Sequence, residues 1–126
     1  MSLRTPLAHA RGLGSAKEGS HHWWHQRLTA IAHAPLTLWF VGSLICLGSA
    51  DHQTVVEWIK DPISTVLLIS YLTIMYYHAA LGLQVVIEDY IDIEYLKITA
   101  LILVKFAFLF AGLVSVFAVL KVSLGI

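Results

Sequence analysis

The sequence predicts an all-α integral membrane protein with three transmembrane helices, N-terminus cytoplasmic and C-terminus outside. Composition is the first reason. Hydrophobic residues make up 58% of the 126, charged residues only 13%, and mean hydropathy is +0.76. A soluble domain carries roughly 25% charged residues, so too few polar groups are present to coat a water-facing globule of this size. The second reason is that the apolar residues gather into three runs, at 28–49, 63–87 and 96–124. Each run reaches the ~20 helical residues needed to cross a ~30 Å hydrocarbon core. Helices are the only spanning form open to it: three segments cannot close a barrel, and lipid offers no water to unpaired backbone groups.

The same numbers exclude other classes. A soluble enzyme and a disordered regulator both conflict with the hydropathy. Eight Lys+Arg balance eight Asp+Glu, which leaves no net basic field for a polyanion and no nucleic-acid binder. The single cysteine, Cys46, excludes a disulfide framework, a thiolate zinc site and a cysteine-ligated iron–sulfur cluster.

Taken in order, residues 1–20 form a polar, flexible lead carrying Arg4, Arg11 and Lys17 among glycines. This lead does not read as a signal peptide, since it shows neither an apolar core nor a cleavage pattern. Residues 21–126 form the three-helix membrane unit. Its first span opens at Arg27-Leu28-Thr29-Ala30, and residues 50–62 read as a short loop. Asp61 and Pro62 are suited to the N-cap and first position of the second span. Residues 88–95 form a short acidic loop. The third span is the longest and must tilt or protrude. Its row Ala107, Ala111, Ser115, Ala118 offers a small-residue face for close helix packing.

Orientation follows from Lys and Arg. Arg4, Arg11, Lys17, Arg27 and Lys97 fall on the side of the N-terminus, against Lys60 and Lys121 on the other. Trp23, Trp24 and Trp58 stand at expected interfaces, where amphipathic rings are favoured.

Polar residues inside the spans are the candidate functional ones. His78 lies near the middle of the second span, about 14 Å of helix from the acidic loop. An ionisable group at that depth points to function, and neutral imidazole is a haem ligand. The other reading is a histidine hydrogen-bonded to a neighbouring helix. Gly82, one turn on, keeps the face flat for a macrocycle or for another helix. Arg27 can clamp a carboxylate in bidentate fashion or snorkel to headgroups. Asp89-Tyr90 ends the second span. A phenol there can donate to a quinone carbonyl while the carboxylate orients it or feeds protons; both are also ordinary residues for a span end. His21, His22, His25 and His33 cluster at the start of span one. The i, i+4 spacing of His21 and His25 suits a metal only if that stretch is helical, and no Glu-containing zinc motif accompanies it. Lys105 is expected to snorkel.

The motif His78-Ala79-x-x-Gly82-x-Gln84-Val85-x-x-x-Asp89-Tyr90, with three spans and Arg27-x-Thr29-Ala30 opening the first, resembles the hydrophobic membrane anchors of succinate dehydrogenase, respiratory complex II. The resemblance covers residues 27–90. It implies that His78 is one axial ligand of a b-type haem, the second coming from a sister membrane anchor subunit. Arg27, and His21 six residues before it, would lie near the haem propionates. Tyr90 would hydrogen-bond ubiquinone, with Asp89 beside it. The implied partners are the sister anchor, the iron–sulfur subunit and the flavoprotein subunit, in the inner (cytoplasmic) membrane of a bacterium rather than a mitochondrion. A stand-alone cytochrome b using His33 with His78, and a haem-free transporter or assembly protein, are the competing classes.

Overall fold

The computed structural model describes Leu7 and residues 19–126. The expected flexible lead therefore lies outside the described residues, apart from Leu7 and its last two residues. Among the described residues from Gly19 on, four helices follow in order: α1 (Gly19–Cys46), α2 (His52–Lys60), α3 (Pro62–Tyr90) and α4 (Glu94–Leu124). Of these, α1, α3 and α4 are long and apolar enough to cross a membrane, as the three runs predict. They contain 28, 29 and 31 residues, or ~42–47 Å at 1.5 Å per residue. That exceeds the ~30 Å hydrocarbon thickness, so their ends reach the headgroup layer or the helices tilt.

Each helix begins or ends beyond its apolar run. α1 starts well upstream, because the His- and Trp-rich segment from Gly19 continues the same helix. α3 carries on through Glu88, Asp89 and Tyr90, so the expected acidic loop shrinks to residues 91–93. Pro35 lies inside α1; with no N–H, it leaves the Ile31 carbonyl without its usual donor. α4 ends at Gly125, whose φ of 71° is left-handed and whose N–H closes on Lys121 and Val122 carbonyls.

The segment 50–62 differs from its expected form as a plain loop, because it contains α2. Asp51 caps this helix by accepting from the Thr54 amide at 3.0 Å. The Thr54 hydroxyl, then its amide, hold the Asp51 carboxyl below the usual carboxylate range. The cap is therefore in place above the unfolded pKa and is lost as pH falls through the lowered folded value. Val55, Val56, Trp58 and Ile59 are half-buried while Gln53, Glu57 and Lys60 face out. A helix of nine residues with one apolar face is too short to show as a span. Trp58 stacks on Trp39 of α1 at 5.7 Å between ring centroids.

Asp61 caps α3 as its spacing predicts, accepting from the Ser64 amide at 2.9 Å with Pro62 at the first turn. Both α1 and α4 pack on α3, and among the described residues they do not pack on each other. The buried residues Ser64, Thr65, Leu68, Tyr71 and Ile87 all belong to α3. Large apolar side chains such as Leu38, Ile45, Phe106 and Phe110 stay exposed, a surface that only lipid or another membrane protein can cover.

Hydroxyls in hydrocarbon need partners, and most find them one turn back. Thr37, Ser43, Ser70, Thr73 and Thr99 each donate to the carbonyl four residues earlier, the local bond open to Ser and Thr in helices. Others tie helices together. Thr65 donates to the Ile59 carbonyl at 2.6 Å and meets Ser123 of α4 at 2.9 Å, joining α2, α3 and α4 at one point. Thr65→Val should lower stability by ~0.6 kcal/mol, and at most ~1.7, the range measured for hydrogen bonds between membrane helices. Thermal inactivation of the detergent-solubilised protein would read this as a small drop in midpoint; no drop would mean the bond is replaced by another. Tyr76 meets Ser115 at 3.0 Å, and a Cβ on Gly112 would stand 3.5 Å from its ring. The close-packed row on α4 is thus Phe108, Gly112 and Ser115, while Ala107 and Ala118 of the expected stripe stay exposed.

Candidate functional site

The residues His22, Gln26, Thr29 and His33 recur at i, i+4, i+7 and i+11, one face of an α-helix. On α1 all four are half-buried. Opposite them, α3 presents Tyr71, His78 and Gly82. The Thr29 hydroxyl lies 2.8 Å from His78 Nδ1. The His33 ring stacks on Tyr71 at 5.3 Å and 7°, and its centroid lies 5.9 Å from that of His78. Phe40 covers Tyr71 at 4.7 Å. A Cβ on Gly82 would stand 3.6 Å from the Gln26 amide nitrogen, so the flat face predicted at Gly82 receives a side chain of α1.

Towards the start of α1 the site becomes more polar. His25 Nδ1 pairs with the Tyr77 hydroxyl at 2.9 Å. His21, His22, His25, Tyr77, Gln84 and Glu88 line an open cavity of about 530 Å³, and the Gln84 amide donates to Glu88 at 2.8 Å. Three buried atoms on this face have no hydrogen-bond partner among the described residues: His22 Nε2, Gln26 Oε1 and His33 Nδ1. Orphaned buried polar atoms are costly, and here they fall on one side of one helix.

The sequence-predicted residues divide between two places. His78 is half-buried at the centre of the α1–α3 contact, and His21 is on the polar cavity. Arg27 is exposed, its guanidinium 5.4 Å above the Trp23 ring, a cation–π contact. Asp89 and Tyr90 are the last two residues of α3 and are exposed, Tyr90 to 83%. They stand about 18 Å of helix from His78. Among the described residues none of Arg27, Asp89 and Tyr90 hydrogen-bonds to His78. Glu88 shares the cavity with His21, so the end of α3 and the start of α1 lie together. Lys105 is exposed and lines a mostly apolar groove of about 630 Å³ between α3 and α4, which shares Tyr77, Leu81 and Gln84 with the polar cavity. The contacts of Thr29, Tyr71 and Tyr77 are additions to the sequence reading. The spacing 22, 26, 29, 33 is the available signal for Thr29.

Residues 1–120 match the family described as succinate dehydrogenase/fumarate reductase transmembrane subunit. The chain belongs to that family. It is 42% identical to the succinate dehydrogenase hydrophobic membrane anchor subunit of Rickettsia bellii, over 82% of each chain. Identity to the protein of the same name in Rickettsia conorii is 38%, again over 82% of each. The succinate dehydrogenase membrane anchor subunit of Reclinomonas americana is 32% identical over 71% of this chain and 77% of its own. No solved structure matches. Family membership and the three spans together bear out the membrane-anchor role, a multi-pass location and assembly with other members of the complex.

Proposed function

We propose that this chain is the anchor of a bacterial succinate:quinone oxidoreductase, with its N-terminus on the cytoplasmic side of the inner membrane. It docks the flavoprotein and iron–sulfur subunits, shares a b-type haem with a sister membrane anchor, and forms part of the ubiquinone site. The observation that carries this is the state of His78. Its Nδ1 is engaged by Thr29, while Nε2 has no hydrogen-bond partner among the described residues. An imidazole tethered at one nitrogen and without a hydrogen bond at the other has the donor atom that a haem iron takes.

His78 would supply that ligand, with Arg27 and His21 at the charged edge of the haem. Haem supplies one-electron exchange when bound. The remaining chemistry belongs to side chains. The Tyr90 hydroxyl donates to a quinone carbonyl and polarises it, and Asp89 orients the donor or passes a proton. Ubiquinone takes two electrons and two protons to become quinol. Electrons reach it from the iron–sulfur protein, because this chain's one cysteine cannot hold a four-cysteine cluster. A self-contained cytochrome pairing His33 with His78 is disfavoured by the Thr29–His78 hydrogen bond, which closes the gap between α1 and α3.

Purification in mild detergent tests the proposal. The expected result is co-elution with a flavin-bearing protein, an iron–sulfur protein and one further hydrophobic chain, with a b-type reduced-minus-oxidised spectrum. Pigment in the isolated chain would favour the self-contained cytochrome. A colourless chain with no flavoprotein would favour a transporter or assembly protein.

A further inference from the structure

We infer that Thr29 is a positioning residue that fixes the tautomer of His78 and thereby selects Nε2 as the ligating atom. This rests on the reading of His78 as an iron ligand and goes beyond it, to the group that sets which ring nitrogen is free. The Thr29 hydroxyl has one proton and three neighbours. The His25 carbonyl lies at 2.7 Å, the Gln26 carbonyl at 3.1 Å and His78 Nδ1 at 2.8 Å. Carbonyl oxygens can only accept. The shortest of the three contacts is the bond to the carbonyl four residues back, the one Thr37, Ser43, Ser70, Thr73 and Thr99 also make.

With its proton directed at His25, Thr29 offers His78 only lone pairs. An unprotonated Nδ1 at that distance would set lone pair against lone pair, so Nδ1 carries the hydrogen and donates it. Neutral imidazole has one ring proton, which leaves Nε2 as the free donor pair. The relay therefore runs from His78 Nδ1–H to the Thr29 oxygen, and from the Thr29 hydroxyl to the His25 carbonyl. Such a partner fixes ring orientation and raises ligand basicity. A more basic ligand favours the ferric state and lowers the reduction potential. The His33 ring, on the same face of α1, lies near-parallel to that of His78 at 17° and 5.9 Å between centroids and limits its swing.

The test compares Thr29→Val, which keeps the shape and removes the hydroxyl, with Thr29→Ser, which restores it, both in the purified complex. Haem content, haem midpoint potential and the low-spin ferric electron paramagnetic resonance signal are recorded. Thr29→Val should raise the potential and shift the resonance, or reduce haem content, and Thr29→Ser should behave as the parent. A fully loaded Thr29→Val complex with parental potential and resonance would overturn the inference. So would a Thr29→Ser complex as defective as Thr29→Val, since the methyl group alone would then matter. His78→Ala in the same series separates the two levels: haem retained there removes the ligand assignment itself, whatever the Thr29 variants do.

Discussion

The complex carrying His78→Ala should lose its b-haem, and the reduced-minus-oxidised spectrum should flatten. Removing groups that merely support a metal ligand costs 10–100-fold in metal affinity, so deleting the ligand itself is expected to exceed that. The substitution also leaves the Thr29 oxygen without its partner and removes the ring beside His33. Loss of packing alone could therefore weaken assembly. The set of proteins that still co-purify separates the effects: an intact complex without haem identifies a ligand, and an unchanged spectrum would remove His78 from that role. His78 lies in the contact between α1 and α3, so the colour of the complex and the integrity of this contact are tied to one side chain.

Tyr90→Phe should depress quinone reduction by roughly 10²-fold, the lower end of what removal of one well-placed donor to a developing oxyanion costs. Succinate oxidation with an artificial acceptor should continue at the parental rate. Tyr90 is exposed at the end of α3, where a surface substitution changes stability by only about 0.5 kcal/mol. The hydroxyl can therefore be removed without disturbing the fold. Equal loss of both activities would instead indicate defective docking of the soluble proteins. Parental activity in both assays would exclude Tyr90 from the quinone site.

The spans were legible because their signal is local: a continuous apolar run satisfies the hydrocarbon requirement residue by residue. The ends were less so. The segment from Gly19 is polar enough to pass for a loop, yet its Trp and His side chains suit the interface and its backbone continues the helix. α2 is hard to see in the sequence because nine residues with one apolar face lack the length that marks a span. His78 stood out as a polar group in an apolar run, but its partner did not, since Thr29 is 49 positions away and the pairing depends on how α1 and α3 meet. Register decides the α4 stripe too: of the small residues Ala107, Ala111, Ser115 and Ala118, Ser115 meets Tyr76 together with Gly112, while Ala107 and Ala118 stay exposed. Arg27, Asp89 and Tyr90 are readable as span-end chemistry; Arg27 meets the Trp23 ring, while Asp89 and Tyr90 stay exposed at the end of α3.

The polar face of α1 has a consequence for biogenesis. α1 is synthesised first, and its counterpart on α3 follows only after α2 has been made. Until then Thr29 and His33 enter the bilayer without the His78 and Tyr71 side chains that later meet them, so α1 depends on a helix made after it. α3 and α4, adjacent in the chain and joined by three residues, can close on one another as soon as both emerge. α3 is nonetheless complete before α4, so the polar contact between α1 and α3 can form ahead of that hairpin.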